Sequence, residues 1–419
     1  MREKIYIFYR KTKASFSSLW FYLFRIFPIK KNLVSVCAFE GKGGFGCNPK
    51  YIVQELNKKN PDIEFVWFLN SDAMGKEMPA YIRKVPNTLI SRAYWLTRSK
   101  VWIDNYRKPL GTVKRKGQYY LNTNHYTLGI KTVGLWRGKG FSKMAYLVSK
   151  NDSDMIDDLI IDSKFGEIIS PRGLLYDGPY LKTGAPRCDV LFGNREEQKR
   201  IFRRKHHLPE DVKIVMYAPT FREGAHGGKR YVYSRKDEID FKRVLENLEE
   251  RFGGQWCLCF RVHPQLAEKY SGLCEQDNSI RIIDESQADD MYEVLAAMDA
   301  YITDYSSACF EAGFAKIPTF IYAEDIEKYV HDRGALFWNL ASKHRHHIER
   351  NLKILKDLDV EFPFSVARTN DELERDVQSF QTKQYTEKLD LFHERIGLVF
   401  SGNASELIAD RIIKMMRLK

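Results

Sequence analysis

Three short segments carry residue types suited to binding phosphate groups. They are Ala218-Pro-Thr-Phe-Arg222, Arg261-Val-His-Pro264 and Thr303-Asp-Tyr-Ser-Ser307. Together they contain two arginines, a histidine, hydroxyl groups and a carboxylate. A guanidinium group can grip phosphate oxygens through paired hydrogen bonds. A lone arginine is more often a surface charge and a lone histidine a structural residue, but all three segments follow strand-like runs, which favours a shared ligand.

The Asp304-Tyr-Ser-Ser307 segment has a specific physical use. Ser306 or Ser307 can cap the helix that is predicted to follow. The free N–H groups and the dipole at a helix start favour a phosphate group. The alternative is that the serine only caps the helix and binds no ligand.

His125 lies in a stretch that contains no acidic residue. Residues 105–151 hold ten lysines and arginines and neither Asp nor Glu. Nearby cations favour the neutral imidazole, which is the form that a general base requires. The stretch predicts a positive surface that concentrates anions, with a solvated basic loop as the alternative. The whole chain is also basic, with a formal net charge of +12 that fits nucleic acid, an acidic membrane or a phosphate-rich substrate.

The elements that must position these residues alternate between strands and helices along the chain. The predicted strands are Leu33–Phe39, Phe65–Leu69, Lys100–Asp104, Lys213–Ala218, Trp256–Val262, Ile280–Ile283, Ala300–Thr303 and Thr319–Tyr322. Strands separated by helices predict parallel sheets, here in two α/β lobes that meet near residues 188–200. We assign the lobes to residues 32–190 and 191–419, the second with a helical tail. Ligands of open α/β sheets bind beyond the carboxyl ends of the strands, where the three segments lie.

Three other features predict no further chemistry. Gly41-Lys-Gly-Gly-Phe-Gly46 lacks the spacing of a dinucleotide or P-loop motif, so we expect a loop of close backbone approach. Asp152-Ser-Asp154 has the form of a metal-binding pair, but its context favours a helix N-cap. The seven cysteines are scattered, which argues against a disulfide framework and a zinc site and favours a reducing compartment. We therefore predict no metal site and no certain cofactor.

Residues 1–31 differ from the rest of the chain. They contain eight Lys or Arg residues, one acid and nine aromatic residues. Their apolar part is interrupted by Arg25 and stopped by Pro28, so it is shorter than the roughly 20 residues of a spanning helix. No small-residue cleavage site follows it. The composition predicts an amphipathic segment at an anionic membrane surface, and the alternative is a core-docking helix with a basic exposed face.

The chain resembles the CDP-glycerol glycerophosphotransferase family, which builds teichoic acids and related capsular polyol-phosphate polymers. The resemblance covers most of residues 32–340 and rests on the order and spacing of several segments. These are Phe39-Glu-Gly-Lys-Gly with Asn48-Pro-Lys-Tyr51, Lys100–Asn105, Gly184–Asp189, Tyr217–Arg222, Arg261–Pro264, Thr303–Glu311 and Tyr322–Tyr329.

The resemblance implies a GT-B-like fold, in which two Rossmann-like lobes face a cleft. It also implies a peripheral enzyme on the cytoplasmic face of the cell membrane, with its CDP-activated donor in the C-terminal lobe. His125 aligns with the proposed base of the family's Trp-His-Gly-Thr-Pro motif. By motif, the donor contacts would be Pro219, Thr220, Arg261, His263, Ser306, Ser307 and Glu311, with Arg187 reaching the donor across the cleft.

The sequence departs from the family pattern at two places. Asn124-His-Tyr-Thr-Leu128 replaces the motif's Trp, Gly and Pro, and Glu311 stands where the family commonly has Asp. The altered loop indicates a different acceptor or a different polyol.

Our hypothesis is a phosphoryl-group transfer from CDP-glycerol to a membrane-associated hydroxyl, with release of CMP. His125 acts as the base, and His263 and Arg261 stabilise the leaving diphosphate charge. The basic run holds an anionic polymer or a lipid-linked acceptor. The alternatives are a CDP-ribitol enzyme, a GT-B glycosyltransferase that uses a nucleotide sugar, and, least favoured, an anion-binding protein without catalysis. We see no nucleic-acid motif and expect no nucleic-acid partner.

Overall fold

The computed structural model describes most of the chain, divided into two compact units. The described residues are 2–125, 128–220, 222–226, 229–233, 239–262, 281–333, 336–338, 340, 357–400 and 402–417. The first unit comprises Met1–Thr127, Val133–Asp189 and Leu398–Lys419, and the second comprises Leu128–Thr132 and Val190–Gly397.

The first unit is built on a seven-stranded parallel sheet with the order β3-β2-β1-β4-β5-β6-β7. Its strands are β1 (Lys30–Cys37), β2 (Glu64–Leu69), β3 (Ile82–Pro86), β4 (Ser99–Asp104), β5 (Tyr119–Asn122), β6 (Asp158–Ile161) and β7 (Tyr180–Lys182). Its main helices are α1 (Arg2–Leu23), α2 (Cys47–Lys59), α3 (Leu89–Arg98), α4 (Lys143–Ser153) and α5 (Lys164–Gly173). Short 3-10 turns occupy Phe24–Ile26, Phe39–Gly41, Ser71–Ala73, Gly134–Gly140 and Pro186–Cys188.

Strand β1 is buried on both faces from Leu33 to Cys37, whereas its first three residues, Lys30–Asn32, are polar and are exposed or partly exposed. Val34 and Val36 point to one face, where they pack in a core with residues of α2. Leu33 and Cys37 point to the other face and pack with Phe21 of α1 and with α3. Since successive side chains of a strand alternate between faces, a doubly covered strand is a continuous hydrophobic run.

The last helix of the chain belongs to the first unit. Helix α14 (Ala404–Arg417) buries Ile408 and Ile412 in the same core as Ile52 and Leu56 of α2. Our predicted division assigned all of 191–419 to the second lobe. The structure differs for the residues from Leu398 onward, because the apolar face of this helix fits the first sheet.

The second unit contains a six-stranded parallel sheet with the order β12-β11-β8-β13-β14-β15. Its strands are β8 (Lys213–Tyr217), β11 (Trp256–Phe260), β12 (Ile282–Asp284), β13 (Ala300–Thr303), β14 (Thr319–Tyr322) and β15 (Val366–Ala367). A separate antiparallel hairpin pairs β9 (Arg222–His226) with β10 (Lys229–Tyr233). The remaining helices are α6 (Asp189–Phe192), α7 (Arg195–Lys205), α8 (Phe241–Phe252), α9 (Met291–Ala296), α10 (Ala308–Phe314), α11 (Ile326–Arg333), α12 (Asn370–Gln378) and α13 (Thr382–Arg395).

Both sheets have the strand order of a Rossmann fold. In each, the first strand has the second and third strands on one side and the fourth on the other. The chain therefore reverses its direction of growth between β1 and β4 in the first sheet, and between β8 and β13 in the second. Such a switch point opens a crevice at the carboxyl ends of the two strands, and ligands bind there.

Helix α1 leaves most of its large apolar side chains in solvent. Phe21 is buried at 1% exposure, whereas Phe8, Phe16 and Leu19 are 72%, 61% and 59% exposed. The helix contacts α3, and Ser18 Oγ donates a hydrogen bond to the carbonyl oxygen of Gly111 at 3.0 Å. Within the described part of the chain, no helix has the length and hydrophobicity needed to cross a bilayer.

Candidate active-site residues of the two units

His125 lies in a tight turn that follows β5. The backbone N–H of Asn124 donates to Asn122 Oδ1, and that of His125 donates to Asn124 Oδ1, both at 2.8 Å. Asn124 has a left-handed φ of 51°, a conformation that asparagine adopts more readily than most residues. The Asn-Thr-Asn sequence thus fixes the turn and presents His125 at the end of the strand.

The imidazole of His125 is held in one tautomer. Its Nδ1 lies 3.0 Å from the carbonyl oxygen of Asn105. A carbonyl oxygen only accepts hydrogen bonds, so Nδ1 carries a proton, and in the neutral ring Nε2 carries the lone pair. The ring stacks on Tyr106 at 5.4 Å between centroids and meets Phe39 edge-on at 5.7 Å. A neutral ring with its lone pair on Nε2 can act as a general base.

Asn105 ties this histidine to the switch point of the first sheet. It follows β4, and its Oδ1 accepts a hydrogen bond of 2.8 Å from the backbone N–H of Phe39, which follows β1. Asn105 is 1% exposed, and its Nδ2 has no hydrogen-bond partner among the described residues. One asparagine therefore connects the ends of β1 and β4 with the imidazole.

Asn48, at the start of α2, supports the same turn through side-chain hydrogen bonds. Its Nδ2 donates to the carbonyl oxygens of Thr123 and Asn124 at 3.1 and 3.0 Å. Its Oδ1 accepts from the backbone N–H of Arg187 at 3.1 Å. The Arg187 side chain, predicted to reach the donor, is 2% exposed, and its Nη1 donates to Cys47 Sγ at 3.4 Å. The structure thus places Arg187 inside the first unit, beside the glycine-rich loop.

Buried charges lie under the ends of β4 and β5. Lys108 Nζ and Asp104 Oδ2 form an ion pair of 2.5 Å, and both side chains are almost fully buried. Burial raises the pKa of Asp104, while the charge of Asp104 raises the pKa of Lys108 against the effect of burial. Asp152 accepts from the Lys108 N–H at 2.9 Å and from Tyr120 Oη at 3.0 Å. Burial raises the pKa of Asp152 to about 7.

The predicted N-cap at Asp152 is wrong. Helix α4 ends at Ser153, and its N-cap is Ser142, so Asp152 lies in the last turn of the helix. The Asn-Asp-Ser-Asp pattern predicted a helix after residue 154. Instead, α4 ends within this pattern, and the element that follows it is strand β6. Within the described ranges, no group of three His, Cys, Asp or Glu side chains has the arrangement of a metal site.

In the second unit, Asp304 connects the loops that follow β8 and β13. Its Oδ1 accepts from the backbone N–H and the Oγ1 of Thr220 at 2.8 and 2.7 Å. The same oxygen accepts from the N–H of Tyr305. Asp304 is fully buried, whereas Pro219 and Thr220 are partly exposed. The carboxylate therefore fixes the crevice of the second sheet rather than facing solvent.

Arg261 lies at the end of β11, but its guanidinium is bound to protein. Its Nη1 donates to the carbonyl oxygen of Glu285 at 2.6 Å, and its Nη2 to that of Ala288 at 2.8 Å. Burial lowers its pKa from the usual arginine value. Arg261 thus holds the loop after β12 against the end of β11.

Ser306 and Ser307 stand before α10, as predicted. The Oγ of Ser306 accepts from the N–H of Ala308 at 3.4 Å, and both serines are partly exposed. Glu311 is fully buried in this helix and accepts a hydrogen bond from Tyr292 Oη. His263 lies outside the described residues. Arg222 begins β9, and its side chain is outside the described part of the structure.

Comparison with known proteins decides the family. The family described as CDP-Glycerol:Poly(glycerophosphate) glycerophosphotransferase matches residues 19–414. The chain belongs to this family. The predicted fold, a GT-B-like fold of two Rossmann-like domains, is confirmed. A solved structure of the wall teichoic acid polymerase TagF aligns with this chain with a TM-score of 0.75. That alignment has 26% identity and covers 99% of this chain and 98% of the TagF chain.

Two sequence relatives of this glycerophosphotransferase-family chain are polymerases. A teichoic acid poly(glycerol phosphate) polymerase of Staphylococcus epidermidis is 30% identical over 390 residues, which are 90% of this chain and 50% of that protein. A teichoic acid poly(ribitol-phosphate) polymerase of Bacillus spizizenii is 25% identical over 420 residues, 97% of this chain and 60% of the relative. The chain thus spans about half the length of the first relative and 60% of the second.

Sequence reasoning missed two residues that organise the first site. Asn48 and Asn105 were noted only as parts of family segments, because their partners lie far away in the sequence. Asn48 bonds residues 75 and 76 positions away, and Asn105 bonds Phe39 at a separation of 66 positions. The available signal is that Asn105 directly follows a predicted strand and that Asn48 begins the helical pattern after the glycine-rich segment Gly41–Gly46.

Proposed function

We propose that this protein transfers glycerol phosphate from CDP-glycerol to a hydroxyl group of a poly(glycerol phosphate)-type acceptor and releases CMP. The family and the polymerase relative support this donor. The observation that carries the proposal is the geometry of His125, whose Nδ1 contacts the Asn105 carbonyl oxygen beside the switch point of the first sheet.

The reaction is an in-line displacement at phosphorus. His125 Nε2 removes the proton of the acceptor hydroxyl, and the hydroxyl oxygen attacks the β-phosphorus of CDP-glycerol. The bond from the β-phosphorus to the bridging oxygen breaks, and CMP leaves with that oxygen and its electron pair. Because such transfers need little covalent help from the protein, positioning and charge stabilisation supply most of the rate enhancement.

The donor belongs to the second unit in this proposal. Pro219, Thr220, Ser306 and Ser307 border the switch point, and their partial exposure makes them the groups that meet the diphosphate. Arg222 and His263 are proposed as further contacts on the strength of their motifs. Asp304, Arg261 and Glu311 act by fixing these loops, since their side chains are bound to protein.

The acceptor belongs to the first unit, and its phosphates meet part of the basic run 105–151. Several cations of this run pair with acids outside it, as Lys108 does with Asp104 and Lys114 with Asp157. Arg137, Lys139 and Lys143 remain exposed around the 3-10 turn and the start of α4. This smaller cluster is the surface proposed to attract an anionic polymer or a lipid-linked acceptor.

The protein acts on the cytoplasmic face of an anionic membrane in this proposal. The support is helix α1, where exposed aromatic side chains alternate with lysines and arginines. Such a helix lies in the headgroup region of a bilayer, with its apolar groups inserted and its cations near lipid phosphates.

The test of the function is CMP release by the purified protein with CDP-glycerol, CDP-ribitol and a UDP-sugar in parallel. Each donor is offered with and without a membrane extract that supplies acceptor. We expect acceptor-dependent CMP release from CDP-glycerol. Release from CDP-ribitol alone would move the assignment to ribitol phosphate, as in the second relative. Nucleotide release from the UDP-sugar alone would identify a glycosyltransferase.

A further inference from the structure

The segment after β1 presents two large side chains from an unusual backbone. Phe39 and Glu40 have left-handed φ angles of 49° and 57°, and Gly41 continues this conformation at 85°. A Cβ atom disfavours the left-handed region, so successive residues other than glycine are uncommon there. Such backbone persists only where the surrounding structure holds it, and it concentrates at functional sites.

Two asparagines hold this turn in place. Asn105 Oδ1 accepts a hydrogen bond of 2.8 Å from the backbone N–H of Phe39. Asn87 Nδ2 donates to the carbonyl oxygen of Glu40 at 2.7 Å. Both bonds go to the backbone of the turn, so they leave the side chains of Phe39 and Glu40 available in the crevice of the first sheet.

Glu40 places a carboxylate in the neighbourhood of His125. The ring of Phe39, the preceding residue, meets the imidazole edge-on at 5.7 Å between centroids. Glu40 is exposed, and its carboxylate forms no hydrogen bond or ion pair with any residue that the structure describes. Partial burial raises the pKa of this carboxyl group, whereas the positive charges of Lys42 and Arg107 act to lower it. The carboxylate is therefore available to accept a hydrogen bond from a hydroxyl group of a substrate.

Arg107 follows β4 and lies near the same imidazole. Tyr106 stacks on His125, and Cζ of Arg107 lies 5.6 Å from the centroid of the Tyr106 ring. Arg107 is partly exposed, and its Nη1 donates to Ser149 Oγ at 2.7 Å. Its other guanidinium N–H groups have no hydrogen-bond partner among the described residues. A guanidinium held in this way can pair with a phosphate oxygen.

We propose that Glu40 and Arg107 recognise the end of the acceptor chain. Glu40 accepts a hydrogen bond from the secondary hydroxyl of the terminal glycerol, and Arg107 pairs with the phosphodiester next to that glycerol. The primary hydroxyl of the same glycerol then meets His125. The negative charge of Glu40 also disfavours a chain that ends in a phosphate. The inference rests on the proposed function and deepens it, because it assigns the groups that select a glycerol end.

Variants of Glu40 separate recognition from folding. Glycine adopts a φ of 57° without the cost that a Cβ atom imposes. Glu40→Gly therefore removes the carboxylate, and its melting temperature should equal or exceed that of the wild type. Glu40→Gln keeps the size of the side chain and removes its charge, and Arg107→Gln removes the proposed phosphate contact. The matched control is Glu64→Gln, because Glu64 is an exposed carboxylate at the amino end of β2, away from the crevice.

Two synthetic acceptors test the two contacts separately. One is a tri(glycerol phosphate) that ends in a free glycerol. The other ends in a deoxyglycerol that keeps the primary hydroxyl and lacks the secondary hydroxyl beside it. We measure kcat/KM for each acceptor in CMP release, the affinity for each by titration calorimetry and the KM for CDP-glycerol.

We expect the wild type to prefer the glycerol-ended acceptor by at least about 10-fold in kcat/KM and in affinity, because a site that hydrogen-bonds a hydroxyl rejects an analogue without it. Glu40→Gly should reduce this preference to within about 2-fold, and Glu40→Gln should reduce it less. Arg107→Gln should weaken the binding of both acceptors by a similar factor of about 10, since both contain the phosphodiester. The KM for CDP-glycerol should stay within about 2-fold, and the control should match the wild type.

The outcomes separate this inference from the proposed function. If the wild type is active but uses the two acceptors equally, or if Glu40→Gly keeps the full preference, Glu40 does not bind the terminal hydroxyl. If Arg107→Gln binds both acceptors as the wild type does, Arg107 is not the phosphate contact. If the wild type releases no CMP from CDP-glycerol with either acceptor, the proposed function fails. Calorimetry still decides the inference in that case, because equal affinity of the wild type for the two acceptors would overturn it.

Discussion

The contact between His125 Nδ1 and the carbonyl oxygen of Asn105 sets which ring nitrogen can act as a base. The contact holds Nδ1 in its protonated form through a backbone carbonyl oxygen. A carboxylate partner would raise the pKa of the ring, whereas a neutral carbonyl orients the ring with less effect on its charge. At the scale of residues, the imidazole proposed as the base is therefore positioned by a backbone carbonyl group, and the Asn105 side chain holds that backbone in place.

Replacing Asn105 with alanine should reduce kcat more than it changes substrate binding. The variant loses the hydrogen bond from the Phe39 N–H to Oδ1, so the Asn105 carbonyl and the imidazole are no longer fixed. Since a misplacement of about 1 Å can cost about 100-fold in rate, we expect kcat to fall about 10- to 100-fold. Steady-state kinetics of CMP release measures this, with the KM for CDP-glycerol remaining near the wild-type value.

The control is Asn32→Ala, an asparagine of the same unit whose Nδ2 donates to the carbonyl oxygen of Asp62 far from the site. It should keep the wild-type kcat. An Asn105→Ala variant with unchanged kcat would mean that the carbonyl needs no support from this side chain.

The local sequence pattern predicted where several strands end more reliably than it predicted what each residue at those ends does. Thr220 and Ser306 lie at strand ends, as expected from the apolar runs before them, whereas the strand before His125 was not predicted. Arg261 and Glu311 were expected on the nucleotide, but they bond a loop carbonyl and a buried tyrosine. The sequence shows which side chains follow each strand. The hydrogen-bond partner of a long side chain depends on segments that are distant in the sequence and meet only in the folded protein.

At the scale of elements, the strong apolar strands were predictable and the short ones were not. The predicted runs at 65–69, 300–303 and 319–322 match β2, β13 and β14 to within one residue. Strands β3, β5, β6, β7 and β15 of the two parallel sheets were missed; they have two to five residues each, and none has more than three consecutive hydrophobic residues. The order of strands in each sheet was also beyond local patterns, since it depends on long-range pairing such as β1 with β4.

Asp152 connects the end of α4 to β5 and to the segment after β4, and this connection should make stability depend on pH. Its folded pKa of about 7 exceeds an unfolded value of about 3.9. Between these values the folded state binds more protons than the unfolded state, so the free energy of unfolding falls as the pH rises. The Asp152→Asn variant lacks this titration. We expect its melting temperature to decline less than that of the wild type between pH 5 and about 7.5.

Calorimetric melting at both pH values checks this prediction. The Asp154→Asn variant serves as the control, because Asp154 is an exposed partner of Lys150 and should leave the wild-type pH dependence intact. If Asp152→Asn and the wild type lost equal stability over this range, Asp152 would not titrate as its burial implies.

At the scale of the whole molecule, each unit presents its candidate residues at the switch point of a Rossmann-like sheet. In the proposed reaction, the first unit contributes the base, and the second contributes hydroxyl-bearing loops that meet a diphosphate. A transfer between two substrates needs both kinds of site.

Helix α1 adds a proposed membrane contact to this arrangement. Replacing Phe8, Phe16 and Leu19 with serine should abolish sedimentation with vesicles that contain anionic lipid, because the three side chains are exposed and apolar. Activity on a soluble oligomeric acceptor should stay within about 2-fold, since these residues lie outside both candidate sites. A matched triple change at exposed polar positions of α13, Lys383, Glu387 and Lys388, should leave vesicle binding intact. Equal vesicle binding by the α1 variant and the wild type would remove this helix as the membrane contact.

The measurement that tests the central claim most directly compares CMP release with incorporation of labelled glycerol phosphate from CDP-glycerol into acceptor. It is made with the wild type and with His125→Ala, together with the equilibrium affinity of each for CDP-glycerol. We expect the wild type to release one CMP for each glycerol phosphate that it incorporates. We expect His125→Ala to lose turnover by about 100-fold or more, while its affinity for CDP-glycerol stays nearly unchanged. Unchanged turnover in the variant, or CMP release without incorporation, would contradict the assignment of His125 as the base of a glycerol-phosphate transfer.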